Sequence, residues 1–361
     1  MTGAPEQGRL IPAALRPTDY AEQALLGGAL LRPTQLRNLR WITPQDFSNP
    51  ARAWLWNTLH RMPADQVSPM AVTTAARSAD AGTQRLLSPH HLAGFVDACP
   101  NPSSAPLYGG MVLESSLHRL VDSIGSELCT RAAHGSPDEV GDLVADAVRG
   151  GRELPGMAVR WATVPETVRS LLDTTSDRSP DPAPALVRSR TDPPAEHATI
   201  ASLLVWPQQM EEIGRWLHAA DFSDPVNASV YRAIERLADR RAPVDPLTVT
   251  WEAQRAGGVV PDSALLEELG RSAAPGQAEY AGAAVLGAAA LDRLDHAGTH
   301  VAQLAADASL SVPTLLASAS SAIAPLEATH QRLQQIDTPA HTLTEAAATT
   351  PATRTEMEID L

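Results

Sequence analysis

Two adjacent histidines, His90 and His91, two cysteines, Cys99 and Cys129, and four glycine pairs are the residues of this chain that could do chemistry. Histidines on a helix share a metal when they stand three or four positions apart. An adjacent pair predicts a surface loop instead, and no His-Glu-x-x-His occurs. A cysteine nucleophile needs a base beside it, and the sequence identifies none. Two cysteines are too few for a disulfide framework and read as small buried hydrophobes. The glycine pairs at 27–28, 109–110, 150–151 and 257–258 lack the preceding strand of a phosphate loop, so they predict turns and close packing. The many carboxylates form no recognisable acid/base pair and read as solvated helix faces. No catalytic, cofactor-binding or metal-ligating residue is assigned, and no cofactor is expected.

The bulk composition excludes further classes. The formal net charge is -14, without the electrostatic footprint of a protein that neutralises phosphates. The chain contains no lysine, so every one of its 28 Lys-plus-Arg residues is arginine. A P-loop places its lysine on the β- and γ-phosphates, so none can be drawn here. No apolar run approaches the roughly 18 residues that span a bilayer, and no segment resembles a signal peptide. A soluble cytoplasmic protein is expected.

The elements that position the remaining residues are helical. The segment 154–192 carries Pro155, Pro165, Pro180, Pro182 and Pro184 and reads as a Pro-rich linker, with room for a short helix at 164–172. Residues 1–16 read as a flexible arm and 336–361 as a disordered tail. Between them lie two blocks, 17–153 and 193–335. Block one has Trp41 and Asp46-Phe47-Ser48-Asn49-Pro50; block two has Trp216 and Asp221-Phe222-Ser223-Asp224-Pro225. "VSPMAV" at 67–72 answers "VDPLTV" at 244–249, and "LYGG" at 107–110 answers "EYAG" at 279–282. Four matches in one order at nearly constant offset identify an internal repeat.

Each block predicts a small all-α bundle. Asn49 and Asp224 are suited to cap a helix whose first position is Pro50 or Pro225. Thr18 and Asp192 are candidate caps for the first helix of each block. Leu55, Leu59 and Met62 share one face, as do Val230, Ile234 and Leu237. A later helix carries Leu113, Leu117, Leu120, Ile124 and Leu128. Gly27-Gly28 and Ala201-Ser202 keep the first helices slim. Trp41 and Trp216 read as core anchors. The Asp-Phe pairs read as turn-fixing residues.

This set resembles the N-terminal domain of the DnaB family of replicative helicases. In block one the resemblance rests on Ala21, Glu22, Asp46, Phe47, Pro50, Leu55-Trp56, Tyr108 and Arg119. In block two it rests on Ala195, Glu196, Asp221, Phe222, Pro225, Val230-Tyr231 and Tyr280. Where the family often carries histidine after the capped proline, Arg52 and Asn227 stand. Leu291 stands eleven residues after Tyr280, with Arg293 nearby, so block two is the more divergent copy. The resemblance implies a non-catalytic collar domain that self-associates and docks primase, helicase or a helicase loader. No RecA-like motor accompanies it, so helicase or ATPase activity is not expected. Exposed residues of the capped helices, Arg52, Asn57, Asn227 and Arg232, are the candidates for partner contact. A nucleic-acid-binding regulator, an enzyme using a bundle pocket and a vestigial helicase relative stay open as alternatives.

Overall fold

The computed structural model describes residues 16–136, 139–173 and 180–336. The arm expected over 1–16 and the tail expected over 336–361 therefore lie outside the described residues, apart from Arg16 and Ile336. Among the described residues there is no strand, as the sequence predicts. The helices run α1 Pro17–Leu31, α2 Pro50–Arg61, α3 Pro69–Ala76, α4 Ala81–Leu86, α5 Pro89–Asp97, α6 Ala105–His134, α7 Val140–Gly151, α8 Leu154–Ala162 and α9 Glu166–Leu172. They continue as α10 Pro193–Val205, α11 Met210–Ile213, α12 Pro225–Asp239, α13 Pro246–Arg255, α14 Ser263–Ser272, α15 Gln277–Ala306, α16 Val312–Ile323 and α17 Pro325–Ile336.

The starts of these helices follow from local chemistry. Asn49 Oδ1 accepts from the N–H groups of Ala51 and Arg52, and Asp224 Oδ1 from that of Val226. Pro50 and Pro225 then fill the first helical position, where no N–H is needed. Asp192 caps α10 by accepting from Ala195 N–H at 3.0 Å. Thr18 does not cap α1. Pro17 opens that helix one residue earlier, and Asp19 accepts the Arg16 N–H at 3.3 Å. His90 and His91 are not in a loop but on the exposed first turn of α5.

The chain forms two compact units, each discontinuous in sequence. The first comprises the residues up to Glu127 with Arg149–Pro184 and Ala297–Ala322; the second comprises Leu128–Val148, Ala185–His296 and the residues from Ile323. Contiguous blocks at 17–153 and 193–335 do not describe this division. The 30-residue helices α6 and α15 each begin in one unit and end in the other. Sequence periodicity marks which face of such a helix is buried, but not which elements bury it.

In the first unit α1 packs on α5 and α2; in the second α10 packs on α14 and α12. Both cores are mainly aliphatic, and Trp56 and Tyr231 are fully buried at corresponding places in the two units. On α6 the buried stripe is Val112, Leu113, Leu117, Val121 and Leu128; Leu120, expected among them, is exposed. A helix turns 100° per residue, so one position off the stripe is enough to reach solvent. The linker expected from 154 begins instead with α8 and α9, which bury Leu154, Met157, Trp161 and Val168. Pro155 sits within the first two positions of α8 and Pro165 at the cap of α9, so neither proline interrupts a helix. Among the described residues no helix is long and apolar enough to cross a membrane.

Candidate functional site

Two buried carboxylates recur at corresponding places in the two units. Glu22 lies on α1 and Glu196 on α10, both buried. Glu22 Oε1 accepts the Ser48 N–H at 2.6 Å, and Glu196 Oε1 accepts the Ser223 N–H at 2.6 Å. The Asp-Phe-Ser turn is thereby tied to the first helix in both units. The other oxygen of each glutamate binds the residue two places after the capped proline. Arg52 Nη1 reaches Glu22 at 2.7 Å, and Asn227 Nδ2 reaches Glu196 at 2.7 Å.

The second carboxylate closes the turn itself. Asp46 Oδ2 accepts the Thr43 N–H, and Asp221 Oδ2 accepts the His218 N–H, each at 2.7 Å. Arginines then arrive from more than a hundred residues farther along the chain. Arg160 on α8 reaches Asp46 at 2.5 Å, and Arg332 on α17 reaches Asp221 at 2.8 Å. Arg119 on α6 donates to the Asp46 carbonyl at 2.6 Å.

The second unit achieves that last contact differently. The Trp41 ring lies 3.1 Å from where a Cβ on Gly109 would stand, and the Trp216 ring 3.0 Å from where one on Gly282 would stand. This sets α15 in register with α6 so that Asp292 occupies the position of Arg119. Asp292 Oδ2 holds Arg188 Nε at 3.0 Å, and Arg188 Nη2 donates to the Asp221 carbonyl at 2.7 Å. Arg293, one residue on, binds the Asp221 carboxylate at 2.6 Å. Asp292 also accepts from Ser189 Oγ at 2.8 Å and Arg190 Nη1 at 3.0 Å. Burial would raise the Asp292 carboxyl; the bonds from Ser189, Arg190 and Arg188 outweigh it and hold the group below its ordinary value. Three guanidiniums converge on the Asp221 turn, and Arg293 Nη1 and Arg332 Nε find no acceptor among the described residues.

The aromatic residues repeat the scheme with different side chains. Trp56 Nε1 donates to the Ile42 carbonyl at 3.1 Å, and Tyr231 Oη donates to the Leu217 carbonyl at 2.8 Å. Phe47 packs on Trp56 with centroids 5.5 Å apart, and Phe222 on Tyr231 at 4.9 Å. Burial pushes the Tyr231 phenol well above its usual range, so it stays a neutral donor.

Several sequence-predicted residues thus meet at these hubs: Glu22, Asp46, Phe47 and Arg119 in the first unit; Glu196, Asp221 and Phe222 in the second. Ala21 and Ala195 directly precede the glutamates near the starts of α1 and α10, and Pro50 and Pro225 set the start of α2 and α12. Tyr108 is half-buried, whereas Tyr280 is 83% exposed and outside the hub. The pairing of "LYGG" with "EYAG" is one residue out of the packing register, because the glycine under the tryptophan fixes the helix, not the tyrosine. Two of the four partner-contact candidates are internal. The Arg52 side chain is only 12% exposed and bridges Asp19 and Glu22, and Asn227 is buried on Glu196. Asn57 is half-exposed and Arg232 is exposed.

Sequence reasoning missed Arg160, Arg188, Asp292 and Arg332. The signal was the spacing: Arg160 follows Asp46 by 114 residues and Arg332 follows Asp221 by 111. Glu22, Asp46, Glu196 and Asp221 each accept hydrogen bonds on both carboxylate oxygens, which ties the turn, the first helix and the late arginines together. The geometry supports a rigid scaffold.

No curated protein and no solved structure matches the chain. A family profile does, over α10 to the start of α15, in the block whose motif set departs further from the pattern. Residues 189–281, the stretch holding Glu196, Asp221, Phe222, Asn227 and Tyr231, match the DnaB-like helicase N terminal domain.

Proposed function

We propose that this chain is a non-catalytic interaction scaffold of DNA replication, carrying two collar-like helical domains without a motor. The observation that carries the reading is the family match at 189–281, over a contact set that recurs in the first unit. The same buried glutamate, turn serine, aspartate and late arginine in both units support descent from one domain. The absence of lysine supports a protein that does not hydrolyse ATP through a P-loop. The net charge of -14 supports protein partners over nucleic acid. Those partners are the replicative helicase, primase or loader of the same cell, or a second copy of the chain, met in the cytoplasm. Two similar domains on one chain raise the local concentration of the second contact once the first is made.

The test is direct binding of the full chain to purified helicase, primase and loader from its own host. The expected result is a complex with at least one of them, weakened by Arg232→Glu or Asn57→Arg, and no ATP turnover by the chain. Failure to bind any of the three, or lysine-independent ATP hydrolysis, overturns the reading.

A further inference from the structure

The first unit carries one groove whose chemistry opposes that of the chain around it. It lies between the 3-10 turn Pro33–Asn38 and the C-terminal end of α2, with a volume of about 380 Å³. Its lining includes Arg37, Arg40 and His60 beside Pro33, Leu36 and Leu59, and no acidic residue. Arg37 and Arg40 are exposed, and neither has an ion-pair partner among the described residues. His60 Nδ1 donates to the Trp56 carbonyl at 3.1 Å. Arg52, Arg160, Arg188 and Arg332, by contrast, are held on buried carboxylates. Here Arg37 and Arg40 stand beside the half-buried Pro33 and Met62 in a protein of net charge -14.

The sequence supplies a complementary segment. Glu356, Glu358 and Asp360 alternate with Met357, Ile359 and Leu361. In an extended chain this alternation puts three carboxylates on one side and three apolar side chains on the other. Arginine guanidiniums bind carboxylates through paired, charge-assisted hydrogen bonds, and acidic motifs are commonly read by such clusters. We propose that the groove is a docking site for the segment Glu356–Leu361 of a second copy of this chain, with Arg37 and Arg40 on its carboxylates and Pro33 and Met62 against its apolar side. This deepens the self-association part of the scaffold reading and rests on it. An interface built on exposed charge pairs is salt-sensitive, so association weakens as ionic strength rises.

The experiment measures the mass of the full chain by light scattering over graded concentrations. The same series is run for Arg37→Glu/Arg40→Glu and for a chain ending at Arg354. A labelled peptide of residues 350–361 is then titrated onto each by fluorescence anisotropy, beside a scrambled peptide of equal composition. The expected result is concentration-dependent association of the full chain, lost in both variants. The peptide is expected to bind the shortened chain at least tenfold more tightly than it binds the double arginine variant. A peptide with arginine at 356, 358 and 360 should recover binding to that variant. Circular dichroism establishes that the two exposed substitutions leave the fold intact. A full chain that stays monomeric, equal binding of the scrambled peptide, or association indifferent to Arg37 and Arg40 overturns the proposal. Binding to helicase, primase or loader is read separately, so the scaffold reading survives or fails on its own result.

Discussion

Asp292 accepts from Arg188 Nε at 3.0 Å, and the pair does in the second unit what Arg119 does alone in the first. Both arrangements deliver one guanidinium N–H to the carbonyl of the buried turn aspartate, at 2.6 Å in one unit and 2.7 Å in the other. The long helix supplies the donor directly in the first case. In the second it supplies an anion that recruits a donor from the segment preceding α10.

This relay predicts unequal costs. Asp292→Ala strands Arg188 and Arg190 without their carboxylate and should cost about 3 kcal/mol of unfolding free energy. Arg119→Ala removes one charge-assisted bond to a carbonyl and should cost about 2 kcal/mol. Urea denaturation of the two variants compares them. An Asp292 variant no weaker than the Arg119 variant would remove the relay from the account.

Arg52 and Asn227 answer the same glutamate oxygen, but Arg52 also holds Asp19 at 2.7 Å. The Arg52 hydrogen bond keeps the Asp19 carboxyl below its ordinary value, against the opposing effect of burial. A lowered folded-state value stabilises above the unfolded value of 3.8 and is lost as pH falls through the folded one. Arg52→Asn should keep the Glu22 contact, as Asn227 does for Glu196, and release Asp19 to titrate near its ordinary value. Carboxyl NMR titration reads the change directly, and an unmoved Asp19 would contradict it.

Glu114 on α6 works in the opposite sense. Burial, and secondarily the charge of Asp173, pushes its carboxyl up to about 7 from 4.5. The folded state therefore holds a proton that the unfolded state releases, so stability falls as pH rises from about 4.5 through 7. The swing is on the order of 3 kcal/mol. Glu114→Gln should leave the stability near pH 4.5 unchanged and raise it at pH 8. Thermal melts of both proteins across that range provide the check; parallel curves would exclude Glu114 as the titrating group.

Two glycines should respond oppositely to the same substitution. A Cβ on Gly27 of α1 would overlap the Phe95 carbonyl and stand 2.9 Å from Cys99 Cβ. Gly27→Ala must therefore push α1 and α5 apart, at a cost of about 2 kcal/mol or more. Nothing lies within 4 Å of a Cβ on Gly156 in α8. Gly156→Ala should stabilise by about 0.5–1 kcal/mol through helix propensity alone. Melting temperatures that move in the same direction would refute this contrast.

Local patterns carried much of this architecture. Asn49-Pro50, Asp224-Pro225 and Asp192-Pro193 announce helix starts because cap and first turn are settled within four residues. Asp46 and Asp221 stand out because each directly precedes Phe and lies four residues before Pro, and Glu22 and Glu196 because each follows Ala near the start of its block. Tyr280 misled because a matching letter in a helix says nothing of its rotation. The glycine beneath Trp216 shows the true register. Arg52 and Asn227 misled because a polar residue on an amphipathic helix reads as exposed unless its buried partner is known, and those partners, Glu22 and Glu196, lie 30 and 31 residues away.

The sequence alone determined the helical class, the caps, the slim helix at Gly27 and the two Asp-Phe-Ser turns, since each depends on neighbours along the chain. Only the tertiary structure decided that Arg160 and Arg332 clamp those turns and that Asp292 takes the place of Arg119. It alone decided that α6 and α15 each serve both units. Those outcomes depend on which surfaces meet across a hundred residues or more. Periodicity marks a face for burial, but the element that buries it is chosen by shape and by the need to pair every buried charge.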